Sequence, residues 1–264
     1  MKNYPLPRLD EAKEARRKIL PFCRLQPGEI WIDPIRGHKV GCVDAADPTH
    51  IQDLLGGEKA RLAIHDPPYN LVAFETCSVE EFISWCKRWV ATTSEVLASD
   101  SSFYVWLGAD QNEGFQPLPD FMVMMRDFNE LTSRSLITMR NQRGYGTHKN
   151  WMAIRQDCLF YIKGNPSFTV QYTDIPKILR GYYKEVNGKK TENLERSRSE
   201  NIRPGNVWVD VQQGFYRRDE NVNGCYAQKP LKSIERLILA SSNETELVID
   251  FLVIQGLPSL PQIN

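Results

Sequence analysis

Residues 60–70 read Ala-Arg-Leu-Ala-Ile-His-Asp-Pro-Pro-Tyr-Asn, and this stretch decides the fold. The apolar run 60–64 has the length of a short buried strand, and the prolines after it cannot continue regular structure. An acid and an aromatic ring, Asp66 and Tyr69, therefore follow directly on a strand. Ligands of parallel α/β sheets bind at the carboxyl ends of strands, so we expect both side chains at a binding edge.

Strand and helix patterns alternate on both sides of this stretch. Strands are predicted at 38–43, 102–107, 135–139, 157–162 and 246–251, and helices at 49–55, 78–97, 120–129 and 233–241. Ser78 with Glu81 three residues later forms a capping box, which begins the longest helix. The alternation predicts an α/β domain with a mostly parallel sheet covered by helices.

Residues 168–226 differ from the rest of the chain. They are polar, rich in Lys, Arg, Asn and Tyr, and poor in helix or strand period, which predicts an insertion rather than sheet. Within 171–204, eight basic residues face five acidic ones. This surplus and the nearby tyrosines suit a segment that reads the major groove of duplex DNA, and they suit a solvated surface loop equally well.

Composition narrows the possible classes of protein. The 264 residues include 33 basic and 33 acidic side chains, so a DNA-binding face would have to come from local clusters of charge. The six cysteines form no C-x-x-C pair and the four histidines have no metal-ligand spacing, which predicts a reduced, cytoplasmic protein without metal. The histidines are interpreted as surface or core residues, and His65, beside Asp66, is expected to tune the site modestly. No run approaches the roughly 20 apolar residues of a membrane span, which predicts a soluble protein.

The loop after the strand suits chemistry at an exocyclic amine. Acceptors on the two amino hydrogens, the Asp66 carboxylate and the Pro67 carbonyl, would favour a tetrahedral, nucleophilic nitrogen. Pro68 stiffens the loop, and Tyr69 offers a flat face on which an extruded base stacks, worth about 1–3 kcal/mol. Asp66 is expected at an exposed strand end, where alanine would abolish the reaction with little loss of fold. The alternative interpretation is a proline-rich turn with Asp66 as a cap.

Asp66-Pro67-Pro68-Tyr69 after an apolar strand resembles the catalytic motif of beta-type DNA amino-methyltransferases. The resemblance implies a Rossmann-like fold that uses S-adenosylmethionine to methylate duplex DNA, within a restriction–modification system. A leading Asp is more typical of adenine-specific members, and methylation of the cytosine amine stays open. The implied segments are an N-terminal extension (1–35), a catalytic half (36–167), a target-recognition insertion (168–226) and a partial cofactor-binding segment (227–264).

Three further stretches resemble the cofactor-binding parts of that family. Val43-Asp44 is similar to a strand that ends in an acid near the cofactor, and the segment before helix 233–241 is similar to the one against the methionine part of the cofactor. Residues 248–251 resemble the start of the cofactor-binding strand. The cofactor-binding residues implied by this resemblance are Asp44, Lys229, Pro230, Asp250 and Phe251.

Residues 141–147 have the composition of a flexible, basic, glycine-containing loop. The resemblance implies that this loop lies near the flipped base. Arg143 and Lys149 would grip phosphates, while Tyr145 or Trp151 would stack on a base or pack beside it. The alternative is a surface loop with ordinary solvated charges.

The end of the chain departs from the family pattern. Members continue after the position of Phe251 with a loop close to F-x-x-S-G-T-T, whose small residues let backbone N–H groups approach the cofactor. Residues 252–259 instead read Leu-Val-Ile-Gln-Gly-Leu-Pro-Ser. We therefore expect a truncated or frameshifted, inactive product with an incomplete C-terminal end, and the alternative is a divergent natural C-terminus. A catalytically dead DNA-binding remnant, methylation of RNA or of protein glutamine, and a homodimer are left open.

Overall fold

The computed structural model describes residues 25–67, 78–108, 114–148, 150–176, 183–192, 200–211, 220 and 228–252, without the side chains of 141–147, 150, 153, 183–184, 186 and 190–192. The strands are β1 (Ile30–Ile32), β2 (Lys39–Gly41), β3 (Ala60–His65), β4 (Leu97–Leu107), β5 (Leu131–Thr147), β6 (Asn150–Lys163), β7 (Tyr183–Val186), β8 (Lys189–Glu192), β9 (Val207–Trp208) and β10 (Val248–Ile249). The α-helices are α1 (Pro48–Leu55), α2 (Val79–Val96), α3 (Leu118–Met124) and α4 (Leu231–Ser241). A 3₁₀ turn, Met125–Asp127, follows α3.

The described strands build one six-stranded sheet in the order β10-β3-β4-β6-β5-β9. The β10–β3, β3–β4 and β5–β9 pairs are parallel, whereas β6 runs antiparallel to both β4 and β5. Parallel pairs are thus the majority, with the antiparallel β5–β6 hairpin set into the sheet. The carboxyl ends of β3, β4 and β10 consequently meet at one edge, the edge predicted for the site.

Helices cover both faces of the sheet. On one face α1, α2 and α3 bury Ile51, Trp89 and Phe121 against Phe103 and Val105 of β4. On the other face α4 buries Leu237 among a second set of apolar residues that includes Leu62, Tyr104, Trp106, Met139 and Trp208. β3 is buried on both faces because it lies between these layers, which explains why its sequence is an apolar run rather than an alternation.

The side chains that cap the first turns of α1 and α2 form the hydrogen bonds expected of helix caps. The Ser78 hydroxyl accepts from the Glu81 amide, and the Glu81 carboxylate accepts from the Ser78 amide, so the predicted capping box begins α2. α1 begins after Asp47, whose carboxylate accepts from the Thr49 amide. Each cap satisfies N–H groups that the first turn of a helix leaves unpaired.

Three sequence predictions of local structure are corrected. Residues 141–147 are not a loop but part of β5, because the β5–β6 pairing continues from Arg140 opposite Arg155 to Thr147 opposite Asn150, with irregular register. The predicted insertion is not free of sheet, since β7 pairs with β8 and β9 joins the main sheet beside β5. The strand predicted at 38–43 is shorter and belongs, with β1, to a separate two-stranded sheet.

Candidate functional site

The candidate site lies where β3 ends. His65 is the last residue of β3 and pairs in register with Val105 of β4, so the next residue, Asp66, emerges at the carboxyl edge. Pro67 after it is buried, while Pro68 and Tyr69 lie outside the described residues. The predicted position of Asp66 at this edge therefore holds, and the stacking role of Tyr69 stays a prediction.

Asp66 forms a close ion pair with Lys229. Asp66 Oδ2 accepts from Lys229 Nζ at 2.6 Å, across 163 positions in sequence. The Lys229 side chain is 5% exposed and the Asp66 side chain 18% exposed. The expectation of an exposed Asp66 is therefore wrong, because its carboxylate is largely enclosed and supports a buried cation.

The charge of Asp66 depends on this partner. Burial raises the pKa of the Asp66 carboxyl, the Lys229 ammonium lowers it, and the nearby Asp250 carboxylate raises it. The net direction is upward, so burial outweighs the ion pair. The second oxygen, Asp66 Oδ1, is buried and has no hydrogen-bond partner in the described structure. A buried unpaired acceptor is costly, which marks Oδ1 as the atom a ligand donor would satisfy.

The start of α4 places Lys229. Pro230 is the N-cap of this helix, and its carbonyl accepts from both the amide and the hydroxyl of Ser233. Lys229 Nζ also lies 5.7 Å from the centre of the Trp106 ring, a cation–π distance. Trp106 precedes the end of β4 and is fully buried. The predicted cofactor residues Lys229 and Pro230 thus lie at the same edge as Asp66.

Asp250 and Phe251 reach this edge through β10. Val248 and Ile249 pair in parallel with Leu62 and Ala63, so the chain leaves β10 beside the end of β3. Asp250 Oδ1 accepts from the Leu252 amide at 2.9 Å and lies 3.6 Å from His65 Nδ1. The structure therefore brings Asp66, Lys229, Asp250 and Phe251 together at one edge, while their catalytic and cofactor roles stay predictions.

Asp44 is not joined to this group. Its carboxylate accepts from the Ala46 amide in the turn that leads into α1, and its own amide donates to His50 Nδ1. Within the described ranges, no hydrogen bond or ion pair links Asp44 to Asp66, Lys229 or Asp250. The cofactor role of Asp44 stays a prediction.

The predicted DNA contacts lie on the β5–β6 hairpin or beside it. Arg143 and Tyr145 belong to β5, without described side chains, and Lys149 lies outside the described residues. Trp151 is 93% exposed and Met152 57% exposed near the start of β6. An exposed tryptophan is unusual, since aromatic side chains of this size are generally buried.

The insertion is held to α4 by buried charges. Arg236 donates two hydrogen bonds to the Asp210 carboxylate, and the side chains are 7% and 4% exposed. The Arg236 guanidinium also lies 4.8 Å from the centre of the Trp208 ring of β9. The helix that follows Lys229 is therefore fixed to residues 208–210 of the predicted insertion, a contact that sequence patterns did not indicate.

His65 makes more contacts in the structure than the modest tuning role expected from the sequence requires. It is fully buried between the end of β10 and α2, where its ring nitrogens bond to Thr93 and to the Phe251 amide. One signal was present in the sequence, because a histidine ends an otherwise apolar strand directly before the candidate catalytic acid.

The described residues hold neither a cluster suited to a metal ion nor a helix suited to a membrane span. In the described ranges, His, Cys, Asp and Glu side chains form no cluster of three or more that could hold a metal ion. None of the helices in those ranges combines the length and the apolar character needed to cross a membrane.

Comparison with known proteins gives one family and several relatives. A family model described as DNA methylase matches residues 60–253. The type II methyltransferase M.HpaI of Haemophilus parainfluenzae is 25% identical over 200 residues, which cover 74% of this chain and 58% of that protein. The type II methyltransferase M1.MboII of Moraxella bovis is 24% identical over 239 residues, which cover 83% of this chain and 84% of that protein.

A solved structure bears on the fold. The PvuII DNA methyltransferase, described as cytosine-N4-specific, is 14% identical, with a TM-score of 0.52 over 76% of this chain and 71% of that one. This likeness confirms the α/β methyltransferase fold expected from the sequence. The expected truncation concerns residues 253–264, which lie outside the described residues, and it stays a prediction.

Proposed function

Since the chain belongs to the DNA methylase family whose model spans residues 60–253, we propose that it transfers a methyl group from S-adenosylmethionine to the exocyclic amino group of adenine in duplex DNA. The observation that carries the proposal is the unpartnered, buried oxygen Oδ1 of Asp66 at the carboxyl edge of β3. An amino hydrogen of the base is the donor that this acceptor lacks.

Asp66 acts on the amine through its two oxygens in different ways. Oδ2 is held by Lys229 at 2.6 Å, which fixes the orientation of the carboxylate. Oδ1 would then accept from the amine and favour the tetrahedral nitrogen. The nitrogen lone pair would bond to the methyl carbon as the carbon–sulfur bond breaks, so that a neutral thioether leaves and the surplus proton on nitrogen passes to solvent. The Pro67 carbonyl is the second acceptor in this proposal, and Tyr69 is the stacking surface for the base.

The residues at this edge suit S-adenosylmethionine, which supplies an activated methyl group on a sulfonium. Lys229 is a cation suited to the carboxylate of the methionine part, and Asp250 is an acid suited to a cationic or hydroxyl group. Both are part of the cluster that includes Asp66, so the donor and the amine would meet at one edge. Positioning provides most of the rate in such a transfer, without a metal or a covalent intermediate.

Duplex DNA is the proposed substrate because of the hairpin and the insertion. The β5–β6 hairpin carries the exposed Trp151 together with Arg143, Tyr145 and Lys149 in sequence, a mixture of aromatic and basic residues that suits contact with bases and phosphates. The insertion is anchored to α4 through Asp210 and Arg236, which would keep a recognition segment in constant relation to the site.

The proposal also specifies which base is methylated, adenine rather than cytosine. Asp66 at the head of the motif favours adenine by resemblance, and the cytosine amine is the alternative. Incubation of the protein with duplex DNA and radiolabelled S-adenosylmethionine, followed by digestion to nucleosides, would identify the modified base. N6-methyladenine supports the proposal and N4-methylcytosine overturns the adenine assignment. No label in DNA, with DNA binding retained, would favour a catalytically dead remnant.

Asp66→Asn is the decisive variant for the mechanism. It keeps the shape of the side chain but places an amide where the proposal needs a carboxylate, and we expect methyl transfer to fall at least about 100-fold. Glu246→Gln is the matched control, since Glu246 Oε1 pairs with Arg61 Nε at 3.2 Å at the opposite end of β3. If Asp66→Asn keeps more than about a tenth of the activity of that control, Asp66 does not act on the amine.

A further inference from the structure

A buried histidine lies between the two halves of the proposed site. His65 is fully buried at the end of β3, directly before Asp66. Its ring packs edge-on against Trp89 of α2 and Phe103 of β4, with ring centres 5.6 and 5.4 Å apart. It stacks on Phe251 at 5.3 Å and an interplanar angle of 29°. His65 therefore touches a helix, the central sheet and the chain that leaves β10.

The neighbours of His65 fix which of its two ring nitrogens donates a hydrogen bond and which accepts one. The Thr93 hydroxyl donates its single hydrogen to the Trp89 carbonyl at 2.8 Å, so its oxygen is left to accept from His65 Nε2 at 3.0 Å. Nε2 must then carry the hydrogen, and Nδ1 is the acceptor. The Phe251 amide donates to Nδ1 at 3.3 Å. The ring is thus a neutral imidazole of a single tautomer that connects α2 to the backbone of Phe251.

This bond extends the contact between β10 and β3 beyond their short ladder. In the described structure β10 pairs with β3 only at Val248 and Ile249. Two residues further on, the side chain of His65 accepts the amide hydrogen that a longer strand would have given to a backbone carbonyl. The backbone at Asp250 and Phe251 is therefore held by a side chain, with Asp250 Oδ1 3.6 Å from the same nitrogen.

We propose that His65 is a positioning residue, which fixes the backbone of Asp250 and Phe251 against the end of β3 and thereby sets the distance between the cofactor edge and Asp66. The assignment of this edge to S-adenosylmethionine rests on the proposed function. His65 itself touches neither the methyl group nor the base, because it lies in the core and acts through the Phe251 amide. A neutral Nδ1 acceptor is the property that the proposal requires.

Three variants separate the two hydrogen bonds of the ring. In His65→Asn the side-chain oxygen can take the place of Nδ1 and keep the bond from Phe251, whereas His65→Gln can keep only the Nε2 bond to Thr93. His65→Phe keeps the ring and loses both bonds. Tyr104→Phe is the control, since it removes a buried hydrogen bond, 2.8 Å to the Ser241 hydroxyl, on the opposite face of the sheet.

Two measurements on the protein alone test the positioning. Long-range proton–nitrogen spectra of the imidazole should show Nε2 protonated and Nδ1 unprotonated in the unaltered protein. Hydrogen exchange of the Phe251 amide should accelerate about tenfold in His65→Gln and His65→Phe, as expected for one lost hydrogen bond, and less than about threefold in His65→Asn and Tyr104→Phe. A protonated Nδ1, or equal acceleration in the Asn and Gln variants, would overturn the proposal.

The effect on the cofactor is measured separately. The dissociation constant of S-adenosylmethionine by calorimetry should rise about tenfold in His65→Gln and stay within about threefold in His65→Asn. An unchanged constant in His65→Gln, with faster Phe251 exchange, would overturn the role of His65 at the cofactor edge. Absence of binding by the unaltered protein would instead overturn the proposed function, and the exchange and tautomer results would still decide whether His65 holds Phe251.

Discussion

Replacement of Lys229 by methionine tests the buried ion pair at the candidate site. Methionine keeps a long, unbranched stem but removes the ammonium that lies 2.6 Å from Asp66 Oδ2. Because the Lys229 and Asp66 side chains are only 5% and 18% exposed, the variant leaves a carboxylate enclosed without its cation. Loss of one partner of a buried pair costs about 3–5 kcal/mol, so we expect the free energy of unfolding at pH 8 to fall by about 3 kcal/mol.

The size of this loss should depend on pH. Burial raises the pKa of Asp66 above its ordinary value of 3.8 and Lys229 opposes the rise, so Lys229→Met raises that pKa further. A carboxyl with a raised folded-state pKa contributes stability that is complete below its unfolded-state pKa and is lost as pH rises through the folded-state pKa. The difference between the two proteins should therefore stay below about 1 kcal/mol near pH 4 and grow toward pH 8.

Urea unfolding of both proteins between pH 4 and pH 8 measures this difference. Lys87→Met is the matched control, because Lys87 is 54% exposed and pairs at 2.6 Å with Asp127, which is 57% exposed. Exposed pairs contribute about 0–1 kcal/mol, so the control should lose less than about 1 kcal/mol at every pH. A loss in Lys229→Met that matches the control at pH 8, or that is the same at every pH, would refute the reasoning.

Two further substitutions test the anchor of the insertion and a tight turn. Asp210→Asn should cost about 3 kcal/mol, because both side chains of the pair are buried and the variant leaves the Arg236 guanidinium without its anion. Burial opposes the low pKa of Asp210, but hydrogen bonds and charge from Arg236 outweigh it, so the cost should persist above pH 3.8 and shrink as pH falls through the lowered pKa in acid titrations of stability. Gly164→Ala should cost at least about 3 kcal/mol in thermal unfolding, because φ is +63° and the new Cβ would lie 2.1 Å from the Ser99 carbonyl oxygen. Gly188→Ala, with φ +74° and open space around it, should cost about 1 kcal/mol, and equal losses would contradict the steric argument.

Much of the fold was predictable from short stretches of sequence. The apolar run of β3 and the Ser78 cap of α2 are local signals, since each depends on residues a few positions apart. Asp66 was placed correctly at the carboxyl edge, because it directly follows the last residue of β3. Residues 141–147 misled the prediction, since their glycines resemble a loop although the pairing with β6 carries them as strand.

Tertiary structure alone decided which side chains meet at the site. The sequence by itself determined that an acid follows a buried strand, but the cation that pairs with Asp66 is 163 positions away. The amide that bonds to His65 is 186 positions away, and no periodicity relates residues at that separation. The burial of Asp66, its raised pKa and the single tautomer of His65 all follow from these long-range contacts. Such properties belong to the enclosed environment of a side chain, and that environment forms only when β3, β10, α2 and α4 pack together.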